Sequence, residues 1–174
     1  MNIEKTARSL VRKFDTNDPF KIAREKNIIV LYELNSLAHR FMYALCEKNI
    51  IVLYEPLGSI RGYYNCTRRQ KFIHINQNLN EYQTYFTGAH ELGHAILHPK
   101  SNTPFLRECT FYSVNRLEKE ANQFAAFTLY DDYIFEEYLL CNYTLAQMAC
   151  ALGIPDMELI EYRVRHLKQK GGFL

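Results

Sequence analysis

The sequence lacks the long apolar run that a membrane-spanning helix requires. No apolar stretch among the 174 residues approaches the roughly 18–20 residues that cross a bilayer. The N-terminal segment MNIEKTARSLVRKF alternates charged and apolar residues, and it has neither the apolar core nor the small-residue cleavage site of a secretion signal. We therefore expect a cytoplasmic protein with no membrane partner.

Disulfide and cysteine-based metal motifs are also missing. The chain has 5 cysteines, which are odd in number and widely spaced, and no two of them form a Cys-x-x-Cys pair. They are Cys46, Cys66, Cys109, Cys141 and Cys150. This usage predicts reduced thiols and argues against a tetrathiolate zinc site. A net charge of only +2 gives no electrostatic reason to expect nucleic acid as the main partner.

The residues that are present predict one folded domain of helices and a few strands. Hydrophobic residues make up 48% of the chain and aromatic residues 14%, as in globular proteins. We divide residues 1–174 into an N-terminal part (1–56), a catalytic core (57–130) and an all-helical C-terminal part (131–174). Apolar spacing predicts a helix over 3–14, a short helix from Pro19, a buried strand over 27–32, an edge or hairpin strand over 70–76, and a helix over about 115–130.

The nonapeptide EKNIIVLYE occurs twice, at residues 25–33 and 47–55. The segment between the copies, NSLAHRFMYALCEK, has the pattern of a helix. Two copies are too few for a repeat architecture. Either both copies pair in the sheet, or one displaces the other and becomes an appendage.

The segment GAHELGHAILHPK, residues 88–100, carries the pattern that points most directly to chemistry. Asn80 and Gln83 form a capping box, and Pro99 ends the helix that follows. One turn separates His90 from His94, so both imidazoles face the same way and can bind one tetrahedral Zn²⁺. Glu91 is rotated by about 100° from His90, which places it beside the metal as a candidate general base.

Two histidines leave such a zinc site one protein ligand short. His98 lies about 12 Å along the helix from His90, too far to share the ion, and we interpret it as a favourable cation at the helix C-terminus. Glu118 and Glu120 on the following helix are the two candidates for a His₂Glu site. We favour Glu118, because it shares a narrow helix face with Asn122, which can support a ligand histidine.

An alternative role for Glu118 is structural. Asn115 and Glu118 have the spacing of a capping box at the start of the later helix.

With these residues in view, QKFIHINQNLNEYQTYFTGAHELGHAILH followed by NTPFLRECTFYSVNRLEKEANQFAAFTLY resembles the ImmA/IrrE family of metallopeptidases. The resemblance implies a minimal zincin-like α+β fold, in which a small twisted sheet packs on the active-site helix. It implies that His90, His94 and Glu118 bind zinc and that Glu91 is the general base. It also implies a protein substrate, a helix-turn-helix repressor of a phage or mobile element, lying along an edge strand such as 71–76.

Three further points stay open at this stage. Tyr63, Tyr64 and His74 are candidates for stabilising the oxyanion, although we favour sheet packing as the role of each of them. Residues 144–164 have the pattern of a helix-turn-helix, so a DNA-binding regulator is an alternative function. A protein that captures the repressor without cutting it is another.

Overall fold

The structure is a computed structural model, and it describes residues 2–25, 29–31, 50–67, 70–100, 111–154 and 157–170. This part of the chain contains seven helices and four strands. In chain order these elements are α1 (Ile3–Phe14), α2 (Pro19–Glu25), β1 (Ile29–Leu31), β2 (Ile50–Glu55), β3 (Gly62–Thr67), β4 (Gln70–Asn76), α3 (Glu81–Leu97), α4 (Phe111–Leu129), α5 (Asp132–Leu140), α6 (Leu145–Leu152) and α7 (Met157–Gln169). The class is mixed α+β, with helices predominating, as expected.

The four strands form one mixed sheet in the order β1-β2-β4-β3. Strands β1 and β2 are parallel, as are β2 and β4, whereas β3 and β4 form an antiparallel hairpin. The hairpin prediction for residues 70–76 is therefore correct and the edge prediction is wrong, because β3 and β2 flank β4 on both sides. Within the described residues, β3 is the edge strand on that side of the sheet.

The described residues of the two nonapeptide copies include two adjacent strands, β1 and β2. Ile29 pairs with Ile51, Val30 with Val52 and Leu31 with Leu53, so each residue lies opposite its own copy, 22 positions later. Of the two outcomes that the sequence left open, pairing of both copies in the sheet is the correct one. The helix expected between the copies lies outside the described residues.

Helix α3 packs one face against the sheet and another against α4. Tyr64, Ile73 and Ile75 are buried under α3, and Leu92 of α3 packs in the same core. On the other side, a Cβ atom at Gly93 would approach the backbone of Ala121 to 3.3 Å. Glycine at this position therefore lets α3 and α4 pack closely.

The C-terminal helices build a second apolar core on the same two helices, α3 and α4. Phe86, Ala89, Ala125, Ala126 and Leu129 from α3 and α4 contact buried residues of α5–α7, including Phe135, Met148, Leu152, Ile160 and Val164. A capping box at Thr144 begins α6, and Gly153 ends it with a left-handed φ of 63°. The all-helical prediction for this region is confirmed.

One helix boundary differs from the sequence prediction. Helix α4 begins at Phe111, about one turn before the predicted start near 115. Glu118 therefore lies two turns inside the helix, and its interpretation as part of a capping box is wrong. None of the helices in the described ranges is both long and apolar enough to cross a membrane.

Candidate metal centre

The two histidines of the HELGH segment lie one above the other on α3. The helix starts with the predicted capping box, in which Asn80 accepts from Gln83 N and the Gln83 side chain accepts from Asn80 N. One turn later than His90 comes His94, and their Nε2 atoms are 3.1 Å apart. The His94 side chain is fully buried, while that of His90 keeps 14% of its surface exposed. The cluster thus faces solvent on the His90 side.

Glu118 of α4 completes a triangle of ligand atoms with these histidines. Its Oε2 lies 3.2 Å from Nε2 of His90, and its Oε1 lies 3.6 Å from Nε2 of His94. Ligand atoms bound at 2.0–2.1 Å to a tetrahedral Zn²⁺ lie about 3.3 Å apart. The Nε2–Nε2 distance of 3.1 Å and the distances of 3.2 and 3.6 Å from each Nε2 to one of the two Glu118 oxygens therefore fit one small divalent cation of this kind.

The second carboxylate of the site, Glu91, lies beside this triangle. Its Oε1 is 4.0 Å from Nε2 of His90, farther than the Glu118 oxygen, and its side chain is only 6% exposed. Strand β3 approaches it from the other side, since a Cβ atom at Gly62 would lie 3.6 Å from Glu91 Cγ. His90, Glu91 and His94 also place one donor atom each within 4.8 Å of one another. The two carboxylates nevertheless differ in position, because only Glu118 bridges both imidazoles.

Asn122 makes the supporting contact that its helix face predicted. Its Oδ1 lies 2.7 Å from Nδ1 of His90. An amide oxygen only accepts, so Nδ1 of His90 carries the proton and Nε2 keeps its lone pair. That lone pair faces the centre of the triangle and is available to a metal.

The burial and charges of His90, His94 and the two carboxylates favour a cation at the point between these side chains. Burial lowers the pKa of His94, which keeps this imidazole neutral. Burial acts in the same direction on His90, but the nearby Glu118 and Glu91 carboxylates favour the charged ring, outweigh burial and raise the pKa of His90 overall. Burial acts to raise the pKa of Glu118, yet the contacts with the His90 and His94 rings outweigh it, and the pKa falls well below its usual range.

The competing carboxylate, Glu120, is directed elsewhere. Its Oε2 lies 2.8 Å from Nε2 of His98, and its Oε1 accepts from Nε of Arg116 at 2.8 Å. His98 in turn contacts the far side of the His94 ring, with 3.2 Å between the two Nδ1 atoms. Sequence reasoning missed this contact, although the four-residue spacing of His94 and His98 on one helix could have indicated it.

The three oxyanion candidates do not belong to the metal cluster. Tyr63 and His74 are partners across the β3–β4 hairpin and their rings stack at 4.1 Å, while His74 Nδ1 lies 2.9 Å from a Glu55 oxygen. Both alternate with Tyr64 and Ile75, which face α3, so they lie on the opposite sheet face. Tyr64 is fully buried and donates its hydroxyl to the Pro99 carbonyl at 3.0 Å. Sheet packing is the correct interpretation.

Comparison with known proteins gives the class to which this geometry belongs. The family model of peptidase M78, described as the IrrE N-terminal-like domain, matches residues 45–149. The chain belongs to this metallopeptidase family. Membership implies a metal ion and a polypeptide substrate.

The sequence is also similar to two known proteins. The "Uncharacterized immunity region protein 2" of Bacillus phage phi105 is 35% identical over 153 residues, which cover 88% of this chain and 84% of the relative. "Metallopeptidase ImmA" of Bacillus subtilis (strain 168) is 34% identical over 106 residues, which cover 60% of this chain and 59% of ImmA. No solved structure matches the chain significantly.

Proposed function

We propose that the protein is a zinc-dependent endopeptidase of zincin-like fold, built as one domain in which residues 57–130 form the catalytic core. His90, His94 and Glu118 are the metal ligands and Glu91 is the general base. The observation that carries this assignment is the close approach of three side chains: the two Nε2 atoms are 3.1 Å apart, and the two Glu118 oxygens lie 3.2 and 3.6 Å from them. A set of two imidazoles and one carboxylate suits Zn²⁺ in a catalytic site, where a fourth position stays open.

The chain's own residues divide the chemical work. When bound, zinc acts as a Lewis acid that acidifies water and polarises the scissile carbonyl. Glu91 is nearly buried and 4.0 Å from His90 Nε2, so its carboxylate can take the proton of the attacking water and return it to the leaving amine. Asn122 keeps the lone pair of His90 directed at the metal.

The substrate that we propose is a helix-turn-helix repressor of a phage or mobile element. Two findings support this proposal: the resemblance of the catalytic region to anti-repressors of the ImmA/IrrE family, and a relative named for the immunity region of a phage. Because β3 is the edge strand beside Glu91, we place the bound substrate segment along β3 instead of β4.

The DNA-binding alternative has weaker support. Helix α7, which would be the recognition helix, buries Arg163 and the apolar residues on its face. It exposes Glu158 and Glu161, whose charges oppose contact with phosphate groups.

The deciding experiment mixes the zinc-loaded protein with a candidate helix-turn-helix repressor, sought among the genes that neighbour its own, and follows cleavage by mass spectrometry. Wild type is expected to cut the repressor at one site. Glu91→Gln is expected to keep its zinc and lose activity by about 10²- to 10⁴-fold. Glu81→Gln makes the same change on an exposed position of the same helix and is expected to retain activity.

Two outcomes would contradict the proposal. Cleavage at the wild-type rate by zinc-loaded Glu91→Gln would remove Glu91 as the base. Release of the repressed genes in cells by Glu91→Gln, without cleavage, would identify a protein that captures the repressor instead of cutting it.

A further inference from the structure

We propose that His98 and Glu120 are positioning residues that hold His94 in the tautomer and orientation required to bind the metal; this inference rests on the proposed function as a zinc peptidase. His98 is the residue at the C-terminal end of α3, and Glu120 lies on α4. Neither residue touches the triangle of ligand atoms, so each would act through His94.

A continuous chain of contacts links the exposed surface of α4 to the buried ligand. Arg116 donates from Nε to Oε1 of Glu120 at 2.8 Å, and the other Glu120 oxygen lies 2.8 Å from Nε2 of His98. Nδ1 of His98 lies 3.2 Å from Nδ1 of His94. Nε2 of His94, the far end of the chain, faces His90 and Glu118.

Only one arrangement of protons satisfies every contact in this chain when both rings are neutral. A carboxylate accepts only, so Nε2 of His98 carries the proton that Glu120 binds. Nδ1 of His98 is then an acceptor, and the hydrogen atom in its contact with His94 must belong to Nδ1 of His94. This leaves Nε2 of His94 deprotonated, with its lone pair directed at the metal position.

Burial explains why His94 needs such a chain. The His94 side chain is fully buried, so no solvent reaches its Nδ1–H group, and His98, itself only 9% exposed, is its acceptor. An unpartnered N–H in that position would carry a desolvation cost and would favour other ring orientations. His90 has a different support, the Asn122 amide oxygen. The two ligand histidines are thus oriented by two independent groups.

The experiment compares two substitutions of His98 that separate hydrogen bonding from packing. His98→Phe keeps the ring volume and removes the acceptor. His98→Asn loses ring volume and keeps an acceptor, because Oδ1 of asparagine occupies the place of histidine Nδ1. Zinc affinity is measured by competition with a chromophoric chelator, and the visible absorption of the Co²⁺-substituted protein reports the geometry at the metal. Melting of the metal-free proteins monitors the fold.

We expect His98→Phe to weaken zinc binding by about 10- to 100-fold, as for other residues that support metal ligands, and to change the Co²⁺ spectrum. His98→Asn is expected to restore most of the affinity and the wild-type spectrum. Glu120→Ala is expected to have a smaller effect in the same direction, because Glu120 is 25% exposed and water can replace it. The control Lys119→Ala changes a 54% exposed side chain of the same helix that lies outside this chain of contacts, and it is expected to leave zinc binding unchanged.

Several results would overturn the proposal. If His98→Phe binds zinc as wild type does, or binds better than His98→Asn, His98 only fills space. Should His98→Phe fail to fold, Glu120→Ala still decides: wild-type affinity and an unaltered Co²⁺ spectrum would exclude the chain of contacts. If wild type itself binds no zinc, the proposed function fails with it. If all variants bind zinc normally while Glu91→Gln abolishes cleavage, only the positioning role is lost.

Discussion

Two clusters of ionisable side chains, one between α3 and α4 and the other around Arg163 of α7, solve the same physical problem differently. The histidine cluster comprises His90, His94, His98, Glu118 and Glu120. The arginine cluster comprises Arg163, Asp132 and Arg8, with Glu4, His166 and Lys170 at its rim. Burying a charge is costly unless partners compensate for it.

In the arginine cluster, other groups of the protein supply the compensating charge. Arg163 is fully buried, with Asp132 at 3.1 Å and the Tyr130 carbonyl at 3.0 Å. Its guanidinium also lies over the Phe127 and Phe135 rings, at 4.3 and 4.7 Å from their centroids. Burial is the main reason that the pKa of Arg163 falls, to about 10, and the side chain remains charged at neutral pH.

The histidine cluster instead directs three acceptor atoms at one point between His90, His94 and Glu118. Lone pairs that converge in this way are satisfied together by one cation. The two clusters differ in where the compensating charge comes from: in the proposed metal site it comes from a bound ion, and in the arginine cluster it comes from other parts of the chain. Four experiments test this difference.

The largest effect is expected for Glu118→Ala. Removing one of three protein ligands should weaken zinc binding by roughly 10²- to 10³-fold, because each ligand contributes a large share of the binding free energy. Isothermal titration with Zn²⁺ measures the change. The control Glu158→Ala removes a carboxylate that is 73% exposed. Retention of zinc by Glu118→Ala together with its loss in Glu120→Ala would reverse our assignment of the third ligand.

Arg163→Met tests the arginine cluster. We expect the free energy of unfolding to fall by about 3 kcal/mol, because Asp132 loses a buried partner and the aromatic rings lose their cation. Zinc affinity of the folded protein should not change. Urea denaturation measures the loss, and Arg165→Met, on a 67% exposed side chain of the same helix, is the control. If Arg163→Met weakened zinc binding as much as Glu118→Ala does, the two clusters would be coupled.

Glu4→Gln tests the rim of the arginine cluster through its pH dependence. Burial acts to raise the pKa of Glu4, but hydrogen bonds from Lys170 and Arg8 outweigh it and lower the pKa from 4.5 to about 2. A carboxyl group whose pKa is lower in the folded state stabilises the protein above pH 4.5, and this stability is lost as the pH falls towards 2.

We expect Glu4→Gln to cost about 1 kcal/mol at neutral pH, after solvent screening of partly exposed charges, and to flatten the acid limb of the stability curve. Thermal melts between pH 2 and 7 provide the measurement, and Glu161→Gln is the control. An unchanged acid limb would contradict the lowered pKa of Glu4.

The smallest effect on either cluster is expected for deletion of residues 26–47. This deletion leaves one uninterrupted EKNIIVLYE, so the residues that join α2 to β1 would join α2 to β2. Strands β2, β4 and β3 would remain paired, and α3 would keep its sheet contacts. Zinc titration and cleavage assays should give nearly wild-type values. Loss of zinc binding would mean that the deleted segment, which contains β1, supports the metal site.

Local sequence was sufficient for the parts of the site that depend on one helix. The spacing of His90 and His94, the capping box at Asn80 and Gln83, and the end at Pro99 together predicted α3 and the shared face of its histidines. These features depend on a period of 3.6 residues and on contacts between near neighbours in the chain.

Features that depend on two or more elements were predicted less well. The interior position of β4 and the stacking of Tyr63 on His74 depend on which strands are neighbours in the sheet. An alternating pattern of apolar and polar residues does not specify strand order. Pairing of both nonapeptide copies in the sheet was one of two alternatives that the sequence left open. Only the structure shows that β1 and β2 pair, in parallel and in the register of the repeat. Strand order is decided by contacts distant in sequence.

What the sequence by itself determined is therefore the family, the helix and the two histidines with Glu91 beside them, because each is encoded in a short segment. Only the tertiary structure directed Glu118 to the histidine pair and Glu120 to His98. Both carboxylates lie on α4, two residues apart, and their partners depend on how closely Gly93 lets α4 approach α3. That approach is set by packing between helices, which neither segment specifies alone.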